Sequence, residues 1–341
     1  MPTHLDGNRE TRRWGGSYDV SVDVSLRPLR RTDIAAWADL LAAIEEVDRT
    51  GEHYAAADLA EEMDNPDVDV VGAFDLDGRL VGYYSVLPRG AADGHFKVHL
   101  QGSVLPARRG EGIGTRLVSG MVERAARARD ERRPDLPARL VVTGLSSDLA
   151  QGELLSSAGL RGERWNFLMR TPLDAIPSPR PLPHGYRLRG YDRSMADALR
   201  RAHNAAFLDH PDFTPWSEAL WKQVVTESRS FRPDLCFLVS PDGSDEIVAY
   251  VQTAEFDAYL AATGRREAYV GKVGTLRAHR GKGLATALLG HAMHAYRAAG
   301  YDEAALDVDS ENPTGALGVY RRVGFTVESR WTSYFRTLDA S

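Results

Sequence analysis

A glycine-containing loop at residues 280 to 286, Arg-Gly-Lys-Gly-Leu-Ala-Thr, has the composition of a site for a phosphorylated cofactor. The β-branched and apolar run at 269–276 predicts a strand before the loop, and an apolar stripe after it predicts an amphipathic helix. Small residues in such a loop let a ligand approach the backbone, and free N–H groups at the helix N-terminus point at an anion. Because Arg280 and Lys282 add positive charge, we expect this loop to bind a pyrophosphate.

Three known loop patterns compete for this stretch. A Walker loop requires Gly-x-x-x-x-Gly-Lys-Ser/Thr, which the loop does not supply. A Rossmann loop requires Gly-x-Gly-x-x-Gly, and here Gly281 and Gly283 supply two glycines while Thr286 stands at the third position. Asp307, at the end of the next predicted strand, could serve as the ribose-binding acid, so the dinucleotide alternative stays open. The pattern that fits every position is Arg-x-x-Gly-x-Ala.

A second motif lies downstream of the loop. Asn312 before Pro313 predicts a helix cap followed by a first-turn proline, and Gly324 predicts the end of that helix. Tyr320 lies on the helix. Together, the Arg-x-x-Gly-x-Ala loop and this Asn-to-Tyr-to-Gly-Phe segment resemble the GNAT acetyltransferase superfamily, whose corresponding loop binds the pyrophosphate of acetyl-CoA. Without the loop, Tyr320 on an apolar helix face would be interpreted as a packing residue.

The resemblance implies acetyl-CoA as the cofactor and gives roles to residues of both motifs. The backbone of the preceding strand end would hold the pantetheine arm, the loop would hold the pyrophosphate, and Tyr320 would protonate the leaving sulfur. A thiol has a pKa of roughly 8.5 and a phenol roughly 10, so this proton transfer is nearly matched. The cofactor-binding residues predicted from these motifs are Val273, Gly274, Thr275, Arg280, Gly281, Lys282, Gly283, Leu284, Ala285, Thr286 and Asn312.

The general base is a carboxylate in our prediction. An alkyl ammonium acceptor has a pKa of roughly 10, so a carboxylate or a water relay must remove a proton at neutral pH. Many members of the superfamily carry a glutamate eleven residues before the loop arginine, but Tyr269 stands there. Glu267, two residues earlier on the same strand face, is the predicted base, with Glu255 and Asp257 behind it. A solvated strand end is the alternative interpretation of each carboxylate.

The glycine loop occurs twice in the chain. Arg109-Gly-Glu-Gly-Ile-Gly-Thr mirrors Arg280-Gly-Lys-Gly-Leu-Ala-Thr at an offset of about half the chain, which predicts one domain duplicated in tandem. The copies are unequal, because alignment of the glycines after the two short helices places Leu155 where the second copy has Tyr320. The first copy therefore keeps a cofactor loop and lacks the acid. Its predicted cofactor-binding residues are Arg109, Gly110, Glu111, Gly112, Ile113 and Gly114.

The predicted elements divide the chain into two similar units. We expect a flexible tail at 1–17, a noncatalytic unit at 18–170, a proline-rich connector at 171–183 and a catalytic unit at 184–341. Each unit has helices and strands in an order like the GNAT fold. The predicted class is therefore α+β, with two tandem GNAT-like domains, each a mixed and mostly antiparallel sheet flanked by helices. The resemblance also implies that two central strands splay, and residues 325–335 are predicted to be a closing strand pair.

Composition limits the classes of function. Of the 341 residues, 43% are hydrophobic and 26% are charged, as in globular domains, and the net charge of −6 argues against nonspecific nucleic-acid binding. No stretch is apolar enough to span a membrane. The one cysteine, Cys236, lies in an apolar run. A single cysteine forbids an internal disulfide, as expected in a reducing compartment such as the cytoplasm. His203 and His210 lack the neighbours of a metal site, so no metal is predicted.

These observations predict an acetyl-CoA-dependent N-acetyltransferase. We expect it to act on a small-molecule primary amine by direct transfer in a ternary complex, as a monomer or a homodimer. The stretch His203-Asn-Ala-Ala-Phe with His210-Pro also resembles the second domain of a tandem member of the superfamily. Two other classes stay open: a noncatalytic acyl-CoA-binding protein and a dinucleotide-dependent enzyme.

Overall fold

Apolar runs and turn residues fold both halves of the chain into similar series of elements. The computed structural model describes residues 23–209, 213–310 and 315–340. We call the first half, through its sixth strand, the first unit. Its elements are β1 (Ser25–Pro28), α1 (Ile34–Asp48), α2 (Ala56–Met63), β2 (Asp69–Phe74), β3 (Leu80–Ala92), β4 (His95–Val104), α3 (Ile113–Arg132), β5 (Ala138–Leu145), α4 (Leu149–Ser157) and β6 (Arg161–Pro172).

The second half, which we call the second unit, repeats this order with one additional short helix, α7. Its elements are β7 (Tyr186–Gly190), α5 (Ala196–Phe207), α6 (Glu218–Trp221), β8 (Phe237–Pro241), β9 (Ala249–Ala254), α7 (Asp257–Thr263), β10 (Glu267–Thr275), α8 (Leu284–Ala298), β11 (Glu303–Asp309), α9 (Ala316–Arg322) and β12 (Thr326–Leu338). Helix α6 continues into a π-helical turn at Lys222–Thr226.

The strands of both units form one continuous twelve-stranded sheet in the order β1-β2-β3-β4-β5-β12-β6-β11-β10-β9-β8-β7. Strand β4 runs parallel to β5, and β10 runs parallel to β11. The remaining neighbours among the described strands pair antiparallel. The predicted α+β class with a mixed, mostly antiparallel sheet is thereby confirmed.

The last strand of each unit pairs with the other unit. Strand β6 of the first unit lies between β11 and β12, and β12 of the second unit lies between β6 and β5. The predicted strand pair at 325–335 is wrong, because this segment is one strand with register shifts at Val327/Ser329 and Ser333/Tyr334. Thr171 and Pro172, which we had placed in the connector, are the last residues of β6. The two units are therefore joined by hydrogen-bonded strands as well as by the chain.

Helices α3 and α8 pack on the same face of the sheet, and each covers a hydrophobic core of its own unit. In the second unit, Leu284 and Leu288 of α8 are buried against Ala268 of β10 and Leu306 of β11. Each such leucine stabilises the fold by about 2 kcal/mol relative to exposure. Helix α5 and the α6 region pack on the opposite face of the second unit, where Trp221 is buried with Tyr250 of β9. Residues on β10 and β11 thus alternate between the α8 face and the opposite face.

Residues 1–17, for which a flexible tail is predicted, lie outside the described residues. Within the described ranges, every helix is too short or too polar to cross a bilayer.

Candidate active site

The strands of the second unit separate where the resemblance predicts a splay. Strands β10 and β11 pair only from Glu267 opposite Glu303 to Tyr269 opposite Ala305. Beyond that point β10 stays with β9 up to Thr275, and β11 stays with β6 up to Asp309. The backbone edge of β10 at Val273, Gly274 and Thr275, the predicted pantetheine-binding residues, therefore faces the opening.

A β-bulge marks the start of this separation. The register of β10 against β9 shifts between Val270 and Lys272, so Gly271 is the extra residue. A Cβ at Gly271 would lie 2.5 Å from Oε1 of Gln252, so a side chain there would require Gln252 to move. Gly274 is similarly confined, because a Cβ there would lie 2.3 Å from the ring of Tyr250. A bulge bends its strand and increases the local twist, and this one lies where β10 leaves β11 while its pairing with β9 continues.

The glycine loop of the second unit has an open backbone. Gly281 has a φ of 75° and Gly283 a φ of 83°, in the left-handed region that L-residues rarely adopt. Helix α8 starts directly afterwards, and the first N–H groups of a helix have no intrahelical acceptor. Leu284 and Thr286 are buried, so they would meet a ligand through the backbone only. This geometry fits the pyrophosphate of acetyl-CoA.

Arg280 holds the loop in place through contacts within the protein. Its Nε donates to the carbonyl of Thr275 at 3.1 Å, and its other nitrogens contact Oδ2 of Asp209 at 2.8 Å and the carbonyl of Ala206 at 2.7 Å. Lys282 donates to the hydroxyl of Tyr186 at 3.0 Å. The guanidinium of Arg280 thus joins the loop to β10 and α5, and the charge nearest to solvent in the loop is that of Lys282.

Tyr320, the predicted acid, lies on α9 with only 8% of its surface exposed. Its ring packs edge-on against Phe325 at 6.2 Å between centroids, and the N–H of Phe325 donates to its carbonyl at 3.1 Å, which ends the helix. Burial raises the pKa of the Tyr320 hydroxyl to about 12. Asn312, the predicted helix cap and cofactor ligand, lies outside the described residues.

Glu267, the predicted base, is buried in an ion-paired cluster. It is 7% exposed, and its Oε2 lies 2.9 Å from Nη2 of Arg170, which β6 of the first unit supplies. Burial raises the pKa of Glu267 to about 7, against the opposing attraction of Arg170. Tyr259 also binds Arg170 and donates to Glu303 at 2.5 Å. To act as a base, Glu267 must give up an ion pair inside this cluster.

The two other candidate carboxylates lie away from the opening. Glu255 accepts hydrogen bonds from Arg232 at 2.7 Å, from Tyr301 at 2.7 Å and from Arg266 at 3.1 Å. Burial opposes the charge of Glu255, but these three hydrogen bonds outweigh it and lower the pKa of the carboxyl. Asp257 is the first residue of α7, where a helix N-terminus favours a carboxylate. Both positions are explained by structure alone.

Asp307 is a carboxylate that our prediction of the base missed. The Tyr269 hydroxyl donates to its Oδ2 at 2.5 Å, just beyond the last residue pair of β10 and β11. Burial raises the pKa of Asp307 while this hydrogen bond lowers it, although the side chain stays accessible to solvent. The sequence signal was present: Tyr269 stands where many family members carry their glutamate, and Asp307 follows at the facing strand end.

The first unit carries the same loop geometry without the acid. Gly110 has a φ of 81° and Gly112 a φ of 83°. Arg109 donates to the carbonyl of Val104 at 3.2 Å and binds Asp48 through two nitrogens at 2.7 and 2.6 Å. The predicted loop residues around it are either engaged or buried: Glu111 pairs with Arg108 at 2.8 Å, Ile113 is buried, and a Cβ at Gly114 would contact Leu154 at 2.9 Å.

Leu155 takes the place of Tyr320 in the first unit. The N–H of Leu160 donates to the carbonyl of Leu155 at 3.0 Å, which reproduces the helix end at Tyr320 and Phe325. Strands β4 and β5 pair over the five positions from Phe96 to Leu100 and then separate. The gap beyond them opens into a cleft of about 600 Å³, open solvent included, whose wall contains Gln101, Gly102, Ser103, Thr143 and Gly144. The first unit thus has a loop and a cleft, with a leucine where the acid would be.

The histidines and the cysteine have structural surroundings. His203 is buried among aromatic rings with its Nδ1 2.6 Å from the hydroxyl of Tyr250, and burial lowers its pKa to about 3. His210 lies outside the described residues. Burial raises the pKa of the Cys236 thiol, so a thiolate is disfavoured there. Within the described ranges, no three His, Cys, Asp or Glu side chains are grouped as a metal site requires.

Comparison with known proteins agrees with this geometry. The sequence profile of the acetyltransferase (GNAT) family matches residues 34–135 and again residues 194–325. The chain therefore belongs to this family, whose members use acetyl-CoA as co-substrate. A mycothiol acetyltransferase from Nocardia farcinica is 30% identical over 322 residues, which cover 92% of this chain and 94% of that protein.

Solved structures show the same tandem architecture. A GCN5-related N-acetyltransferase from Sphaerobacter thermophilus superposes with a TM-score of 0.75 at 26% identity, over 93% of this chain and 96% of its own. A tandem GNAT protein from the clavulanic acid biosynthesis pathway superposes with a TM-score of 0.68 at 19% identity, over 93% and 99% of the two chains, which shows the fold alone. The predicted family, its two tandem domains and the enzyme class, an acetyl-CoA-dependent N-acetyltransferase, are confirmed.

Proposed function

We propose that the second unit transfers the acetyl group of acetyl-CoA directly to the primary amine of a small molecule, with both substrates bound together. The observation that carries this proposal is the juxtaposition of an open glycine loop, a splayed strand pair and a buried tyrosine in one unit. Gly281 and Gly283 open the loop, and Tyr320 follows on the next helix. The first unit has the loop and the splay and lacks the tyrosine, so we propose that it binds cofactor without chemistry.

The backbone of β10 and the glycine loop supply the groups that would bind acetyl-CoA. Within the stretch Val273 to Thr275, the N–H and C=O groups that do not bond to β9 lie toward the opening, where they suit the amides of the pantetheine arm. An N–H at this edge would also stabilise the oxyanion that forms on the acetyl carbonyl. The first turn of α8 and Lys282 would hold the pyrophosphate, while Arg280 keeps the loop in shape.

Tyr320 would assist the leaving thiolate. A phenol whose pKa burial has raised to about 12 is a weaker acid than a thiol of about 8.5, so a complete early proton transfer is unfavourable. A hydrogen bond from the hydroxyl to the sulfur still stabilises the negative charge that develops as the C–S bond breaks. We therefore assign Tyr320 the role of a hydrogen-bond donor that yields its proton late.

Two carboxylates compete for the role of base. Glu267, predicted from the sequence, is ion-paired and buried. Asp307 is accessible to solvent and lies where β10 and β11 begin to separate. Both sit on the sheet face opposite α8, where an acceptor would approach the acetyl group. The paired variants Glu267→Gln and Asp307→Asn separate these roles.

The relatives named mycothiol acetyltransferase suggest where to look for the acceptor. We propose a mycothiol-related amine as the first compound to test. We further propose that the enzyme works in the cytoplasm, as a monomer or a homodimer. The division into a tail at 1–17, units at 18–170 and 184–341 and a connector at 171–183 stays our prediction.

A panel of amines with free-CoA release as the readout tests the proposal. We expect at least one amine of the panel, which includes the deacetylated form of mycothiol and amines with and without an anionic group, to release CoA well above the rate of hydrolysis without amine. Acetyl-CoA should raise the melting temperature more than NAD does. Cofactor binding without release for any amine would favour a noncatalytic acyl-CoA-binding protein, and stabilisation by NAD alone would favour a dinucleotide enzyme.

A further inference from the structure

The first unit reaches into the opening of the second unit through the segment after α1. Gly51 lies over Leu168 of β6, since a Cβ built on Gly51 would be 3.1 Å from Leu168 Cδ2. Leu168 is the register partner of Asp307, and residues opposed in an antiparallel pair project from the same face of a sheet. Gly51 and its neighbour Glu52 therefore lie beside Asp307, on the face opposite α8.

This segment is held in a fixed shape. Arg49 ends α1 in a left-handed conformation with a φ of 51°. One carboxylate, that of Glu45, accepts hydrogen bonds from the N–H of Thr50 at 2.8 Å and the N–H of Gly51 at 2.9 Å. Farther along, the ring of His53 packs edge-on against Tyr259 of the second unit at 5.5 Å between centroids. The position of Glu52 is thus built by contacts with both units.

Two accessible carboxylates face each other at this end of the opening. Burial raises the pKa of Glu52, a hydrogen bond from Tyr54 lowers it, and the charge of Asp307 raises it again. Asp307 is tied to Tyr269 on one side, and both carboxylates remain accessible to solvent. A cation placed between them would relieve their mutual repulsion. An ammonium group is such a cation, and it is the form in which an amine substrate arrives.

The other end of the opening is positively charged. Lys272 follows the bulge in β10, and its Nζ lies 4.6 Å from the ring centroid of Trp216, on the same face as Tyr269. Burial, with a smaller contribution from the charge of Arg89 on β3 of the first unit, lowers the pKa of Lys272 to about 8. Among the residues that the structure describes, no carboxylate raises the pKa of Lys272 or Arg89 against this lowering.

These two ends are a short distance apart. Tyr269, which binds Asp307, and Lys272 lie on β10 with two residues between them, so at about 3.3 Å a residue their Cα atoms are at most about 10 Å apart. A molecule with an ammonium group at one end and an anionic group several bonds away would neutralise both. A neutral partner would leave Lys272 desolvated without a counter-ion, which is costly.

We propose that the acceptor is an amine that also carries an anionic group, with its ammonium held between Asp307 and Glu52 and its anion held by Lys272. Asp307 is the base, and the first unit contributes Glu52 and Arg89 to the site. This inference rests on the proposed acetyl transfer in the second unit and specifies its substrate class.

The proton balance of the step is simple. Asp307 takes one proton from the ammonium and releases it to solvent. The neutral amine then attacks the thioester carbonyl, and the C–S bond breaks. The second proton that the nitrogen loses on becoming an amide is matched by the proton that the thiolate gains, through Tyr320. The products are an amide, CoA thiol and one released proton.

Matched pairs of simple amines test the proposal on the full chain. Glycine, 4-aminobutanoate and 6-aminohexanoate are compared with their three primary amides, which keep the amine and remove the negative charge. We expect kcat/KM for 6-aminohexanoate to exceed that for its amide by at least about tenfold, the effect of one charge-assisted contact. Lys272→Met should abolish this preference by lowering kcat/KM for the acid toward or below that for the amide.

Three carboxylate variants test the other end. Asp307→Asn should lower kcat/KM for both members of a pair by a hundredfold or more, as loss of a general base does. Glu52→Gln should raise KM several-fold with a smaller change in kcat. Two control variants remove the same charges at exposed positions elsewhere and should change neither constant: Glu46→Gln on α1 and Lys222→Met in the π-helical turn after α6. Acetyl-CoA affinity, measured by calorimetry, should be unchanged in every variant and would reveal one that fails to fold.

The outcomes separate this inference from the proposed function. Equal turnover of acids and amides, or a preference that survives Lys272→Met, overturns the anionic acceptor while acetyl transfer stands. Full activity of Asp307→Asn together with loss of activity in Glu267→Gln returns the role of base to Glu267. If no amine releases CoA, the proposed function fails first.

Discussion

The two glycine loops of this protein have nearly the same shape in units that differ in chemical equipment. Gly110 and Gly112 have φ values of 81° and 83°, and Gly281 and Gly283 have values of 75° and 83°. Each loop arginine binds a strand carbonyl and an aspartate at the C-terminal end of the unit's first helix: Asp48, the last residue of α1, and Asp209, which follows α5. Both copies therefore keep the backbone geometry that we propose for binding a pyrophosphate.

The copies differ in the side chains around the splay. Tyr320 is replaced by Leu155, and the parallel strands separate after three residue pairs in the second unit and after five in the first. In the second unit, the bulge at Gly271 lies directly after the last of these pairs. The loop geometry and the proposed catalytic side chains therefore vary independently: the glycine φ angles are nearly the same in both units, while the tyrosine is present in one unit only.

The largest effect is expected from equivalent lesions in the two loops. Gly283→Glu should abolish turnover, because a side chain at a φ of 83° is strained and its carboxylate repels the pyrophosphate. Gly112→Glu should leave turnover largely intact while removing one acetyl-CoA site from a calorimetric titration and part of the thermal stabilisation by cofactor. Loss of turnover in Gly112→Glu, with folding and second-unit binding preserved, would show that the first unit takes part in the chemistry.

A smaller effect is expected from Tyr320→Phe, which keeps the packing against Phe325 and deletes the hydroxyl. Turnover should fall by roughly a hundredfold, with little change in cofactor affinity. Because burial raises the pKa of this hydroxyl to about 12, it stays protonated up to pH 10, so it should cause no alkaline decline in kcat. Tyr334→Phe, on β12 beside Gly152 of the first unit, is the matched control. A Tyr320→Phe variant as active as its parent would reduce Tyr320 to a packing residue.

The smallest effect is expected from the aspartates that hold the loop arginines. Asp209→Asn weakens the contact to Arg280, and because both side chains are partly exposed we expect only a three- to tenfold loss of acetyl-CoA affinity. Turnover at saturating cofactor should be unchanged. Asp48→Asn should have the same effect on the acetyl-CoA site of the first unit alone. Calorimetry of the double variant Asp48→Asn with Gly283→Glu measures that site by itself, because Gly283→Glu removes the site of the second unit. If neither affinity changes, the loops keep their shape without these ion pairs.

Much of each unit was accessible from the sequence because its signals are local. Glycine spacing, strand alternation and the helix stripe lie within a few residues, and they sufficed for the loop at 280–286 and for the order of elements. The exchange of β6 and β12 between the units could not be predicted from the sequence, because a residue pattern indicates a strand and does not indicate which strand pairs with it. A single strand at Thr326–Leu338 was consequently mistaken for a pair.

The surroundings of the site were predicted less well for a similar reason. Arg280 was expected to face the cofactor, and the structure shows it bound to Asp209, far away in sequence. Glu267 was chosen by its spacing from the loop, which carries no information about Arg170 on a strand of the other unit. Asp307 and Glu52 come together only through the sheet order and the segment after α1.

The exchanged strands have a consequence for how the chain can be divided. A cut in the segment between β6 and β7 would sever only a connector, while β6 would remain hydrogen-bonded along both edges by β11 and β12. Two separately produced halves should therefore recognise each other by reciprocal strand donation and reconstitute the complete sheet. The two halves could then serve as a split reporter, in which restored acetyl transfer would indicate that the fragments have associated.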